Sequence, residues 1–133
     1  MYQSRINKLI KNMEAREISI VAICAGPMLE YFTGLSFHIS ERPVVLVIKA
    51  HACAAFIFPG FEKEKANDSQ INLQLFPYDE DQDSMIHAFR NAIFSLKIDH
   101  TIGVEPQSFR FHEMEIMQKA MTGLNFISAS KVF

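Results

Sequence analysis

Apolar residues recur along this chain with two different periods, and the switches between those periods mark out its elements. Ile6, Leu9, Ile10 and Met13 stand at i, i+3, i+4 and i+7, the spacing of one helix face, while Lys8, Lys11 and Asn12 fall on the wet side. Residues 18–24 change to a β-branched run without polar alternation, which predicts a strand covered on both faces. Gly26-Pro27 ends it, and Pro27 suits the start of a short helix over residues 28–32. Residues 44–49 are nearly all apolar and predict a central strand, with Pro43 at its start where a missing N–H is tolerated. Residues 50–53 have the length of a hairpin turn, and residues 54–58 return as the next strand. Pro59-Gly60 closes it, and residues 61–66 read as a short helix with a charged face.

In the second half, Ile71, Leu73 and Leu75 alternate with Asn72 and Gln74, a half-exposed strand near a sheet edge. Residues 77–83 read as an acidic connector, with Asp83 or Ser84 placed to cap the next helix. That helix gathers Ile86, Phe89, Ile93 and Leu96 on its apolar face. Residues 101–104 form a short strand ended by Pro106. Residues 107–121 predict a long helix with Met114, Met117 and Met121 on one face and Gly123 just past its end. Phe126 and Ile127 make a last strand. Strands alternating with helices imply a single α/β domain, three-layer α/β/α with a mixed sheet of five or six strands. The length of 133 residues is enough for a real core, and no repeat or linker divides it.

Composition narrows the function classes. Net charge is −2 and the Lys and Arg residues are scattered, which removes any global electrostatic case for nucleic acid or an anionic membrane. No apolar run, residues 44–48 included, is long enough to cross a bilayer. The basic, amphipathic residues 1–12 are not followed by a signal-peptide core, so a cytoplasmic location is expected. Cys24 and Cys53 fit a reduced compartment, a single bridge being the alternative. Twelve Phe and seven Met with no Trp suggest a core of flexible, space-filling side chains.

The stretch of residues 31–43 carries the strongest chemical signal. Gly34 and Pro43 punctuate it as a loop, yet it holds Tyr31, Phe32, Phe37, His38 and the pair Glu41-Arg42. A plain connection is more often small and polar, so a ligand or partner contact is expected here. Arg pairs bidentately with carboxylates; a ligand with a free carboxylate would therefore suit Arg42 beside His38, Glu41 and Phe37. The rival reading pairs Glu41 and Arg42 with each other or with a neighbouring helix. Other constellations are incomplete. Gly34-Leu35-Ser36-Phe37-His38 lacks the closing glycine of a nucleophile elbow, and the glycines stand too far apart to cradle phosphate. The histidines at 38, 51, 87, 100 and 112 show no ligand spacing, and His112-Glu113 reads as a surface pair. The acidic run 79–83 has Ser84 and Arg90 where a calcium loop needs glycine and glutamate, so it reads as a solvated connector favouring the next helix's N-terminus.

Several pieces in order resemble a known family. They are Arg5-x-x-x-Leu9 with Met13, the strand of residues 18–23, and Tyr31-Phe32-Thr33-Gly34 followed by Glu41-Arg42-Pro43 and an apolar strand. Ile102-Gly103-Val104-Glu105 before a helix and the ending Phe126-Ile127-Ser128-Ala129-Ser130 complete the set. Together they resemble the N-terminal domain of the creatinase/prolidase family over essentially the whole chain, the Tyr-Phe-Thr-Gly and Glu-Arg-Pro pair being the most specific. The resemblance implies a ribonuclease-H-like fold and a single, non-catalytic domain over residues 1–133. A C-terminal catalytic "pita-bread" domain, absent from this chain, would hold two divalent metal ions (manganese, cobalt or zinc) on two Asp, a His and two Glu. Such enzymes cleave the bond before proline in Xaa-Pro peptides or hydrolyse creatine, and the resemblance does not separate prolidase, aminopeptidase and creatinase. No cofactor is then expected in this chain. A homodimer is implied, and in some prolidases the loop after Tyr-x-Thr-Gly reaches the partner subunit's active site. His38, Glu41 and Arg42, with Phe37, fall on that loop and become the expected substrate contacts in trans. The alternative is a stand-alone dimerising or small-ligand-binding module without peptidase activity.

Overall fold

The computed structural model describes residues 1–133, and its sheet is organised on β1 (Ile20–Cys24), buried along its whole length. Successive strand side chains point to opposite faces, so Ile20, Ala22 and Cys24 enter one core while Val21 and Ile23 enter another. β2 (Val45–Lys49) pairs antiparallel with β1, Ala22 opposite Val47, and β3 (Ala54–Pro59) pairs antiparallel with β2, Leu46 opposite Phe56. β4 (Leu73–Tyr78) lies parallel to β3. On the other side of β1 stand β5 (Thr101–Val104) and β6 (Asn125–Ser128), both parallel. The order β4-β3-β2-β1-β5-β6 makes a mixed, six-stranded sheet, the larger of the two expected strand counts.

Helices cover both faces. α1 (Tyr2–Ala15) and α2 (Pro27–Thr33) bring Ile6, Leu9, Met13, Leu29 and Phe32 against Val21, Ile23, Leu46, Ile48, Phe56 and Phe58. A 3₁₀ turn, Gly60–Glu62, leads into the short α3 (Lys63–Ala66), whose Ala66 joins the same core. α4 (Gln82–Ser95) and α5 (Phe111–Ala120) cover the opposite face, with Phe89, Ile93, Ile116 and Met117 packed on Ile20, Val45, Val47, Ile57 and Ile102. The result is the expected three-layer α/β/α sandwich. Gly103 is required by contact: a Cβ there would lie 2.8 Å from the Ala129 Cβ and 3.0 Å from Ile18. No helix is long and apolar enough to cross a membrane.

β1 begins at Ile20 rather than 18 and β4 at Leu73 rather than 71, and three further boundaries differ from the sequence pattern. β4 runs through Pro77 to Tyr78, so the connector begins at Asp79. Proline is tolerated there because β4 is an edge strand and its missing donor deprives no neighbour. The cap of α4 is Asp81, not Asp83 or Ser84: the Ser84 N–H donates to Asp81 Oδ1 at 2.7 Å, while the Asp79 N–H donates to Ser84 Oγ at 2.9 Å. α5 begins at Phe111 rather than at 107, because the Ser108 and Phe109 N–H groups both turn back to the Glu105 carbonyl. Its buried face is Glu113, Ile116, Met117 and Ala120, leaving Met114 and Met121 half-buried. A carboxylate occupies a place in that stripe that the pattern assigns to apolar residues.

Candidate functional site

Gly34, with φ +78°, ends α2 in the left-handed region and turns the chain into the loop of residues 35–43. Leu35 and Phe37 point inward, whereas Ser36, His38, Ile39 and Glu41 are exposed. Phe37 retains only 8% of its surface and meets Phe56 edge-on, the ring centroids 5.4 Å apart. The sequence groups Phe37 with His38, Glu41 and Arg42; the structure separates it, because its ring fills core volume and does not face solvent.

None of residues 35–43 takes part in a backbone–backbone hydrogen bond. Side chains from distant parts of the chain hold the loop instead. Arg110 Nη2 donates to the Ser40 carbonyl at 2.7 Å, and the Tyr78 hydroxyl donates to the Pro43 carbonyl at 2.7 Å. His112 Nε2 lies 2.9 Å from the Glu41 carbonyl, which can only accept, so the ring nitrogen is the donor. The Arg42 guanidinium forks onto Glu80, Nε to Oε1 and Nη2 to Oε2 both at 3.1 Å, and its Nη1 reaches Glu41 at 3.3 Å. Glu80 raises the Arg42 pKa through that hydrogen bonding. Of the two readings of Glu41-Arg42, mutual pairing is present, and Glu80 of the connector supplies the stronger partner. Glu80 was invisible as a partner because it lies in an acidic run that reads as solvated.

Beneath the loop is a buried ion pair. Glu113 is 1% exposed, its Oε1 accepts from Arg110 Nε at 2.8 Å, and its Oε2 accepts from Arg110 Nη2. The surface-pair reading of His112-Glu113 is therefore corrected: the half-buried His112 bonds the loop, and Glu113 turns inward with Arg110 laid over it. The available signal was Glu113 in register with Ile116, Met117 and Ala120, three residues after an arginine. Burial pushes the Cys24 thiol up to about 12, and the Glu113 charge pushes it the same way. Burial likewise raises Tyr78, and hydrogen bonding to Glu113 raises Arg110. Between the loop, the 79–82 connector and α5 lies a cleft of about 350 Å³ bordered by Arg42, Glu80, Asp81, His112, Glu115 and Lys119. Exposed Ile39 belongs to the loop, exposed Phe61 lies under Arg42 at 5.1 Å, and exposed Phe111 follows Arg110.

The family model for the creatinase/prolidase N-terminal domain matches residues 5–133. This chain belongs to that family. Similar solved structures include prolidase from Thermococcus sibiricus, at 14% identity and TM-score 0.81, covering 99% of this chain and 35% of that one. A dipeptidase from Pyrococcus horikoshii is similar at 22% identity and TM-score 0.78, covering 96% of this chain and 35% of that one. The creatinase/prolidase N-terminal domain of an X-Pro dipeptidase from Streptococcus pyogenes matches at 13% identity and TM-score 0.78, over 96% of this chain and 94% of that domain. This creatinase/prolidase N-terminal domain thus spans about a third of the length of the first two proteins. Comparison with curated protein sequences gives no significant match.

The dimetal centre that the resemblance implies does not fit the residues of this domain. Nowhere do three or more His, Cys, Asp or Glu side chains gather as a metal-holding group. His38 and Glu41 point outward, Arg42 is bound to Glu80, and Phe37 is buried.

Proposed function

We propose that this creatinase/prolidase N-terminal domain is the non-catalytic part of a cytoplasmic Xaa-Pro dipeptidase. On this reading it pairs with a second copy and lends its loop to the partner subunit's substrate site. Two divalent metal ions (manganese, cobalt or zinc) belong to the catalytic domain. The observation that carries the reading is a loop without backbone hydrogen bonds that is nevertheless fastened at Ser40, Glu41 and Pro43, with His38 and Ile39 turned outward. Such fastening suits a surface that must meet something else in a fixed shape. His38 and Glu41 are available to a peptide as they stand. Arg42 is available by exchange, since Glu80 already presents it with the bidentate geometry of a substrate carboxylate and an exposed pair is readily traded.

Residues 1–133 alone should show no hydrolysis of Xaa-Pro dipeptides with added manganese; turnover that follows the protein through purification would overturn the reading. The coding frame beyond Phe133 is a second check. In-frame sequence carrying the Asp-Asp-His-Glu-Glu ligand set supports the peptidase, whereas an immediate natural stop codon supports a stand-alone dimerising or ligand-binding module. In the enzyme, Arg42→Ala should raise KM for a dipeptide about tenfold if a charge-assisted contact is lost. An unmoved KM would leave Arg42 as the structural partner of Glu80.

A further inference from the structure

The middle of the loop and its ends are held by different forces. Leu35 and Phe37 on one side and Val44 on the other are buried apolar anchors. Between them, Ser40, Glu41 and Arg42 make no backbone–backbone hydrogen bond. Within the loop the Arg42 N–H donates to Ser40 Oγ at 3.1 Å and its guanidinium to Glu41 at 3.3 Å; the contacts from outside come from Arg110, His112, Tyr78 and Glu80. Arg110 is the centre of this set, because one guanidinium joins a buried carboxylate on one side and the Ser40 carbonyl on the other. A buried ion pair gives little stability compared with an apolar replacement of the same volume. What Arg110 adds here is position: Glu113 fixes the plane of the guanidinium, and the plane fixes where Ser40 sits. Lysine cannot substitute, since its donors radiate from one atom and lack the fork that spans both partners.

We infer that Arg110, oriented by Glu113, is a positioning residue that sets the shape of the 38–42 loop, with Tyr78 and His112 securing the carbonyls on its far side. Glu113 makes its hydrogen bonds to Arg110, none to the loop, and acts through Arg110. The functional consequence rests on the reading above, in which the loop meets a substrate of the partner subunit. The geometry then makes α5, remote from His38 in sequence, a determinant of how that histidine and Glu41 are presented.

The test is ¹⁵N relaxation on the 133-residue chain and on Arg110→Lys, Glu113→Gln and Tyr78→Phe variants. In the parent chain, residues 39–42 should show rigid-backbone order parameters of about 0.85; in Arg110→Lys they should fall below about 0.6 while β1 and β2 stay unchanged. Glu113→Gln should produce the same loosening through a correctly folded arginine, and Tyr78→Phe a smaller one nearest Pro43. Should Arg110→Lys not fold, Glu113→Gln and Tyr78→Phe decide. Unchanged order parameters in these folded variants overturn the inference. In the enzyme, Arg110→Lys should raise KM for an Xaa-Pro dipeptide about tenfold with kcat held within about twofold, the signature of lost binding geometry. A loosened loop with an unmoved KM supports positioning and removes the substrate contact. A rigid loop overturns positioning whatever KM does.

Discussion

On one side of Val44 the chain enters a hairpin whose partners are its own backbone; on the other it leaves a loop whose carbonyls are held by side chains from elsewhere. β2 and β3 pair in antiparallel register, Val45 with Ile57 and Leu46 with Phe56, and both faces are filled by apolar side chains. The 35–43 loop has no such ladder. Its carbonyls are taken by Arg110, His112 and Tyr78, which stand far from it in sequence. The hairpin is fixed by local pattern and the loop by long-range polar capture. Perturbing the hairpin should therefore unfold the domain, whereas perturbing the loop should disturb presentation before it disturbs the fold.

The largest effect is expected at Phe56. It is fully buried, stacks on Phe58 at 5.0 Å and receives the edge of Phe37 at 5.4 Å. Phe56→Ala should cost about 3–5 kcal/mol in urea unfolding, through lost transfer energy and a residual cavity, with the denaturant slope retained. A loss below about 1 kcal/mol would mean that the hairpin is not the rigid side of the contrast.

The same contrast explains what the sequence made legible. All six strands and five helices of the pattern exist, because period-2 and period-3.6 burial is a local property that residues such as Ile20–Cys24 and Ile6–Met13 declare for themselves. The family's Tyr31-Phe32-Thr33-Gly34 and Glu41-Arg42-Pro43 segments pointed to the loop because they too are contiguous. What holds the loop was hidden, since a carbonyl acceptor has no sequence signature and its donors come from β4 and α5. Glu113 was misread for a related reason: a glutamate is assigned to solvent unless its partner is known, and Arg110 is its partner only once the start of α5 is placed. Phe37 was a matter of alternation. Between exposed Ser36 and His38 it turns inward, as an extended segment requires.

A smaller effect is expected beneath the loop. Glu113→Ala removes a carboxylate that is 1% exposed and leaves Arg110 without its charge partner. Complete loss of one member of a buried pair costs about 3–5 kcal/mol, but the Arg110 side chain keeps 31% of its exposure and water can replace part of the interaction. About 2 kcal/mol is therefore expected, below the Phe56 effect. Urea unfolding followed separately by Phe and Tyr absorbance and by a loop probe at position 38 checks the order. The loop signal should change ahead of the global transition in Glu113→Ala and together with it in Phe56→Ala.

Cys24 stands between the hairpin and the ion pair beneath the loop, and its response to pH sharpens the comparison most finely. Its backbone pairs with Val45 in the sheet, while its thiol lies among the apolar residues under α5 with the Glu113 charge nearby. Burial, reinforced by Glu113, lifts the thiol from 9.0 to about 12, so the folded state keeps the proton where the unfolded chain releases it. The sign follows: this contribution to stability is complete below about pH 9 and is lost as pH rises toward 12. Cys24→Ala should therefore lose stability less steeply than the parent across that window, and the difference between the two proteins should shrink from pH 8 to about pH 11. Tyr78, also raised by burial, titrates in both proteins and cancels from the difference. Urea midpoints at the two pH values, in a Cys53→Ser background so that the exposed thiol is silent, measure it. Parallel curves would mean that water reaches the thiol, and the core beneath α5 would then be open next to the Arg110–Glu113 pair.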